Sequence, residues 1–163
     1  MSGGRRARNI TQYAVACEVF GRVRAVEAPI PADIELRLAD AGRKLGVRTD
    51  VSFAYLFGGL ATGRRTPLSD VDVAVFLAEG ADPVEARLEI LGELMQLLGT
   101  ERIDLVVLNA APLSLRGRIL AARKILADNR PFERHKFESL TQREFFDFAV
   151  RERRLLRRRY LNG

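Results

Sequence analysis

Three aspartates stand where a globular domain would not place unpaired charge. Asp70 and Asp72 open the segment 70–77, whose other residues are all apolar. Asp104 lies inside the apolar run 103–108. Aspartate is disfavoured in strands, and burying its charge is costly unless it is paired or bound to a metal. Side chains two residues apart on a strand share a face, so Asp70 and Asp72 are expected to project together. If Asp104 lies on a neighbouring strand, three carboxylates converge.

Converging carboxylates need a cation to offset their mutual repulsion. No Arg or Lys lies within the two apolar segments to provide an ion pair. Oxygen ligands suit Mg²⁺, and such a set can hold two Mg²⁺ ions about 4 Å apart, on the attacking and leaving oxygens of a phosphoryl-type displacement. With one histidine and one cysteine in the chain, a Cys/His zinc cage cannot be built. The three aspartates are therefore candidate metal ligands and catalytic residues.

A glycine pair precedes the aspartates at a fixed spacing. The apolar, aromatic run 52–57 stops at Gly58 and Gly59, and ten residues then separate Gly59 from Asp70. Glycines allow the backbone to approach a polyphosphate and to direct its amides toward it. No Gly-Lys-Ser/Thr follows, so this is not a Walker loop, and the Gly-x-Gly-x-x-Gly spacing of dinucleotide-binding folds is absent. The turn predicts a site for phosphates beside the carboxylates.

The surrounding pattern predicts an α+β fold, with a small mixed sheet flanked by helices. The predicted strands are 52–57, 71–77, 103–108 and 124–127, and a polar loop covers 60–69. Helices are predicted at 11–24, 32–45, 83–98, 113–122 and 132–160. In the second of these, the predicted core positions are Ile34, Leu38, Ala41 and Leu45, and in the third the predicted apolar stripe is Val84, Leu88, Leu91, Met95 and Leu98.

Composition and charge exclude several classes of protein. The 163 residues are 47% hydrophobic and 29% charged, which is typical of one ordinary globular domain. No apolar run is long enough for a membrane span or a secretory signal, and the single cysteine fits a reducing cytoplasm, so a cytoplasmic protein without a membrane partner is expected. The net charge of +6 lies at the two ends, in residues 1–8 and 143–163, while residues 9–142 are nearly neutral. This distribution argues against nucleic acid as the partner.

The segment from the glycine pair to the aspartates resembles the nucleotidyltransferase superfamily of polymerase-β type. Its signature is Gly-Ser, ten residues and Asp-x-Asp, with a third aspartate on a later strand. The chain's size and the stretch 104–112 are similar to the minimal nucleotidyltransferases, and above all to the antitoxins encoded beside HEPN-domain toxins. The resemblance divides the chain into an N-terminal extension (1–31, partly disordered), a nucleotidyltransferase domain (32–128) and a C-terminal helical segment (129–163) that packs on the domain or a partner.

The resemblance implies an activity and a role for each residue. Such a protein binds Mg²⁺ and ATP and transfers AMP to a tyrosine of its HEPN partner, which silences that toxin. The nucleotide-binding residues would be Gly58, Gly59, Ser69, Arg64 and Arg65. The three aspartates would bind two Mg²⁺ ions, and Asp104 is also the candidate base for the attacking hydroxyl. Gly59 replaces the signature serine, so one hydroxyl contact to phosphate is lost while the backbone amide remains.

Two other functions stay open on the sequence. A catalytically weakened nucleotidyltransferase could neutralise the toxin by binding alone, and Gly59 would then be a mark of lost activity. A small-molecule nucleotidyltransferase would need an acceptor pocket from another domain or from a second subunit, and a homo-oligomer could supply it. The adenylyltransferase interpretation predicts that Asp70→Asn or Asp72→Asn abolishes transfer without unfolding the protein.

Overall fold

The computed structural model describes residues 30–64 and 69–161, with side chains up to Phe148. The helix predicted at 11–24 and the extension 1–31, except for its last two residues, lie outside the described residues, as does Arg65. In chain order the elements are α1 (Ile34–Gly46), β1 (Val51–Phe57), α2 (Gly58–Ala61), β2 (Val71–Leu77), α3 (Pro83–Leu98), β3 (Ile103–Val107), α4 (Leu113–Ala121), β4 (Lys124–Asp128) and α5 (Pro131–Leu161). The helix α2 takes the first two residues of the predicted loop 60–69.

The four strands form one mixed sheet in the order β3-β2-β1-β4. Strand β1 pairs antiparallel with both β2 and β4, and β2 pairs in parallel with β3. The crossover from β2 to β3 runs through α3, as a parallel pair requires. The expected α+β fold with a small mixed sheet flanked by helices is confirmed.

The two faces of the sheet bury different cores. Alternate residues of β2 face opposite ways, so Val71, Val73 and Val75 join the core beneath α1 and α3. Ala74 and Phe76 face the core formed with α4 and α5. The four core positions predicted for α1 are all buried. Because Asp72 shares its face with Ala74 and Phe76, the strand is polar on the α4/α5 side at its beginning.

The apolar stripe predicted for α3 is wrong at two of its five positions, Val84 and Leu88. The helix begins after Asp82, whose side chain accepts hydrogen bonds from the amides of Val84 and Glu85, and it ends at Gly99 with φ 66°. Its buried residues are Ala86, Ile90, Leu94 and Leu98. Val84 is 69% exposed and Leu88 is 63% exposed. Apolar residues line two sides of this helix. The side that the sheet and α1 cover includes Leu98 and the partly buried Leu91 of the predicted stripe.

Helices α4 and α5 meet at a glycine. A Cβ on Gly117 would lie 2.6 Å from Cε2 of Phe145, so α5 approaches α4 as closely as a glycine allows. Nearer the start of α5, the ring of Phe137 packs beside those of Phe53 and Phe76, with centroid separations of 5.5 and 5.1 Å. Among the described residues, no helix combines the length and the apolar character needed to cross a membrane.

Candidate active site

The parallel pairing of β2 with β3 brings the predicted carboxylates to one end of the sheet. Asp72 and Asp104 are register partners, one rung after Val71 and Ile103. Facing residues of adjacent strands project to the same side, so these two carboxylates lie next to each other. Asp70 lies two residues before Asp72, just outside the strand. The strand neighbourhood predicted for Asp104 is therefore present.

The carboxylate of Asp72 is electrostatically crowded. Burial raises its pKa above the ordinary value, and the negative charges of Asp104 and Asp70 raise it further. The backbone N–H of Gly59 hydrogen-bonds this carboxylate and opposes the rise. Within the described part of the chain, no arginine or lysine pairs with Asp72 or Asp104. A cation at this position would relieve the repulsion between them.

Asp70 has a cationic partner that the sequence analysis did not find. The Nε of Arg102 donates to Oδ1 of Asp70 at 3.1 Å, and the guanidinium side chain is only 11% exposed while that of Asp70 is 56% exposed. Arg102 lies just before β3, outside the apolar run 103–108. The available signal was its spacing: Arg102 precedes Asp104 by two residues, as Asp70 precedes Asp72.

The glycine pair lies directly against the aspartates. Strand β1 ends at Phe57, the register partner of Asp72, and Gly58 turns the chain with φ 69°. A Cβ on Gly58 would lie 2.7 Å from Cγ of Asp72, a contact that real side chains do not make. Both the backbone conformation and the close approach therefore require glycine here. The turn predicted at this position is present, and it contacts Asp72 directly.

The other predicted phosphate-binding residues lie near the second glycine. A Cβ on Gly59 would lie 3.6 Å from the hydroxyl oxygen of Ser69 and 3.2 Å from the carbonyl oxygen of Arg64. The amide of Arg64 donates to the Gly59 carbonyl at 2.9 Å, which closes the turn after α2. Ser69 and Arg64 thus belong to the same corner as the glycines. Their role in nucleotide binding stays a prediction.

The donor set fits a hard divalent cation. In residues 30–64 and 69–161, no three or more His, Cys, Asp or Glu side chains stand close enough together to enclose a metal ion. Asp72 and Asp104 nevertheless face each other without a cationic partner in this part of the chain, and carboxylate oxygens are the ligands that Mg²⁺ prefers. Asp70 adjoins them but is held by Arg102. These residues suit Mg²⁺, with two carboxylates in place and a third beside them.

Comparison with known protein families matches the segment of the chain that contains the glycine turn and the aspartates. A family model described as polymerase beta, nucleotidyltransferase matches residues 43–131. The matched segment is more than half of the 163 residues and includes the glycine turn and all three aspartates. No curated protein matches this chain in sequence.

Several solved structures share the fold. A chain of a toxin–antitoxin complex with AMP-PNP matches with a TM-score of 0.58 at 24% identity, over 75% of this chain and 94% of that one. A chain of the tri-AMPylated Shewanella oneidensis HEPN toxin in complex with MNT antitoxin matches with a TM-score of 0.54 at 22% identity, with the same coverage. A chain of the MntA–HepT toxin–antitoxin complex matches with a TM-score of 0.55 at 23% identity, over 75% of this chain and 95% of that one. At these identities the likeness concerns the fold, and together with the family match it shows that this chain belongs to the polymerase-beta nucleotidyltransferase family.

Proposed function

We propose that this chain is a Mg²⁺-dependent adenylyltransferase that transfers AMP from ATP to a tyrosine hydroxyl of a HEPN-domain toxin and so acts as its antitoxin. One observation carries the proposal. The β2–β3 register sets Asp72 opposite Asp104, with Asp70 adjacent and the Gly58 turn in contact with Asp72. A structural role does not explain this cluster, because facing carboxylates destabilise a sheet.

The aspartates and the glycine turn would have different roles in the reaction. Asp72 and Asp104 would bind the metal through their facing carboxylates, and Asp70 would complete the set. Bound Mg²⁺ supplies charge neutralisation on the triphosphate and on the attacking and leaving oxygens. Gly58 and Gly59 would hold the triphosphate at the turn that packs against Asp72, and Ser69 and Arg64 lie at the same corner. Arg65 is adjacent in sequence and belongs to the same predicted phosphate site.

The reaction is a displacement at the α-phosphorus of ATP. The tyrosine oxygen forms a bond to that phosphorus, the bond from phosphorus to the oxygen that bridges to the β-phosphate breaks, and pyrophosphate leaves. The hydroxyl proton passes to a base, for which Asp104 is the candidate because its carboxylate is solvent-exposed and faces Asp72. Asp104 would act both as metal ligand and as proton acceptor.

The partner is inferred from the neighbours in structure. Several of the similar solved structures are described as toxin–antitoxin pairs, one with AMP-PNP and one with a tri-AMPylated HEPN toxin. They support both the nucleotide and the protein acceptor in the proposal.

The experiment tests binding before transfer. ATP is titrated calorimetrically into the wild type and into Asp70→Asn/Asp72→Asn, with and without Mg²⁺, and the unfolding midpoint of each variant confirms folding. We then incubate each protein with a HEPN toxin and ATP and measure the toxin's intact mass. Metal-dependent ATP binding and a mass increase of one or more AMP groups, both lost in the double variant, are expected. A folded wild type that binds no ATP contradicts the proposal.

A binding-only antitoxin is the second candidate, and one observation favours it. Asp70 is held by Arg102, and the three carboxylates do not enclose a metal position as they stand. That function predicts that Asp72→Asn still neutralises the toxin's ribonuclease activity at stoichiometric concentration. Under the adenylyltransferase proposal, the same variant loses neutralisation at substoichiometric amounts, because one enzyme molecule can no longer modify many toxin molecules.

A further inference from the structure

Arg102 is fixed next to the predicted metal ligands. Its carbonyl accepts a hydrogen bond from the amide of Val71 at 2.9 Å, and its own amide donates to the hydroxyl of Thr100 at 3.2 Å. The guanidinium is nearly buried and donates through Nε to Oδ1 of Asp70. These contacts hold the positive charge one rung before the first register pair of the parallel strands.

The pairing places a pair of opposite charges and a pair of like charges two rungs apart. Val71 faces Ile103 and Asp72 faces Asp104, so the register continued backward by one residue sets Asp70 against Arg102. The Asp70–Arg102 pair is attractive, and the Asp72–Asp104 pair is repulsive. A cation that binds Asp72 and Asp104 must therefore approach a fixed positive charge, and it must share Asp70 with that charge.

We propose that Arg102 competes with divalent cations for Asp70, so that the site binds metal weakly until a nucleotide brings its own charge and metal with it. The inference rests on the proposed metal-binding role of the three aspartates. Its functional consequence is that metal and nucleotide enter the site together, because the polyanionic nucleotide offsets the charge of Arg102. A site made of the three carboxylates alone would hold the metal without nucleotide.

The test measures metal binding with no nucleotide present. Mn²⁺ is titrated into the wild type, Arg102→Gln and Arg87→Gln, and the free ion is followed by its paramagnetic resonance signal. Arg87 is the matched control, because it donates to the backbone carbonyl of Leu105 on the same strand and pairs with no carboxylate in the described residues. We expect Arg102→Gln to bind Mn²⁺ about tenfold more tightly than the wild type, since a nearby positive charge is removed. Arg87→Gln is expected to stay within about twofold.

A second measurement uses the wild type, so its result does not depend on whether Arg102→Gln folds. The Nε–H resonance of Arg102, assigned by its loss in Arg102→Lys, is expected to shift on saturation with Mg²⁺ because its acceptor Asp70 is drawn toward the metal. The same resonance should stay unchanged in Asp70→Asn on addition of Mg²⁺. A resonance that does not move in the wild type overturns the competition.

The outcomes separate this inference from the proposed function. Equal Mn²⁺ affinity in the wild type and Arg102→Gln, or weaker binding by the variant, overturns the role of Arg102 and leaves AMP transfer unaffected as a proposal. Equal tightening by Arg87→Gln also overturns it, because general charge would then explain the effect. Failure of Arg102→Gln to bind Mn²⁺ without nucleotide overturns the inference alone, whereas metal-dependent transfer is overturned only by the loss of Mg²⁺-dependent ATP binding in the calorimetric titration of the wild type.

Discussion

Asp72 and Asp104 face each other across the parallel strands β2 and β3, in a register that continues from Val71 opposite Ile103. Like charges at facing positions weaken a strand pair, and here they occur at the ends of two otherwise apolar strands. The fold is thus locally destabilised at the proposed metal-binding residues. Removing either charge is expected to leave the stability of the fold unchanged or higher and to reduce AMP transfer.

Asp72→Asn tests this expectation. In the metal-free protein at pH 7, the variant is expected to be at least as stable as the wild type. The pKa of Asp72 is raised by burial and by its acidic neighbours, so its ionisation costs stability as the pH rises above about 4 and through the raised pKa. Amide in place of carboxylate removes that loss. AMP transfer is expected to fall by more than about 100-fold, the upper range for weakened metal sites.

Urea unfolding at several pH values and transfer assays check both halves of this prediction. Added Mg²⁺ is expected to raise the unfolding midpoint of the wild type more than that of the variant, because ligands stabilise the state that binds them. A variant that is inactive because it is unfolded would contradict the argument, as would one that retains full transfer.

Gly58→Ala tests the close approach of the glycine turn to Asp72. The substitution places a Cβ against the carboxylate and forces a non-glycine residue to φ 69°. We expect a loss of roughly 1–3 kcal/mol in the free energy of unfolding from the strained backbone and the clash. We also expect ATP·Mg²⁺ binding to weaken markedly, because Asp72 must move.

Gly63→Ala is the matched control for that experiment. Gly63 also has a positive φ, 72°, but a Cβ there meets nothing within 4 Å. It is expected to lose about 1 kcal/mol of stability from its backbone alone and to bind nucleotide normally. Equal loss of nucleotide binding in both variants would show that backbone strain, and not contact with Asp72, governs the site.

Much of this fold was predictable because local signals and tertiary packing agree. Strand β2 has the predicted bounds 71–77, since a short run that is rich in valine and apolar except for Asp72 indicates a buried strand. Helix α3 begins at Pro83 and ends before Gly99, as its proline and glycine indicate. The aspartates were recognisable because they are charged residues in otherwise apolar segments. The glycine pair was recognisable because it ends an apolar, aromatic run.

The features that could not be predicted depend on the three-dimensional arrangement. Helix α3 has apolar residues on two sides, and only the position of α1 and the sheet decides that Ile90 is buried while Leu88 is exposed. The pairing of Asp70 with Arg102 joins residues 32 positions apart. It follows from the parallel register, which periodicity along one segment does not specify.

Gly117→Ala tests how α5 is held on the domain. The added methyl group meets the ring of Phe145, so α5 must shift or the ring must move. We expect a loss of about 1–3 kcal/mol in unfolding free energy, the usual cost of overpacking. The control is Gly92→Ala in α3, where a Cβ meets nothing within 4 Å and the helix is expected to gain about 0.5–1 kcal/mol. Urea unfolding of both variants gives the comparison, and a stabilised Gly117→Ala would contradict the packing.

Glu138→Gln tests an ion network that joins α5 to the sheet. The hydroxyl of Tyr55 donates to Oε1 of Glu138 at 2.6 Å, and the guanidinium groups of Arg123 and Arg134 contact the same carboxylate at 3.0 and 3.2 Å. Burial by itself would raise the pKa of Glu138, but the hydrogen bond from Tyr55 and the charges of Arg123 and Arg134 outweigh it and hold the pKa below its ordinary value. The carboxylate therefore stabilises the fold while it is ionised.

The pH dependence follows from the sign of that shift. A lowered pKa in the folded state means that the stabilisation is fully present above the unfolded value of about 4.5 and is lost as the pH falls through the folded pKa. At pH 7 we expect Glu138→Gln to cost about 2 kcal/mol of unfolding free energy, the range for hydrogen bonds to charged groups. The difference from the wild type is expected to shrink in urea titrations as the pH falls below about 4.5. Glu35→Gln, an exposed carboxylate of α1, is expected to change stability by less than about 0.5 kcal/mol at every pH. A Glu138→Gln deficit that stays constant with pH would show that the side chain contributes packing rather than charge.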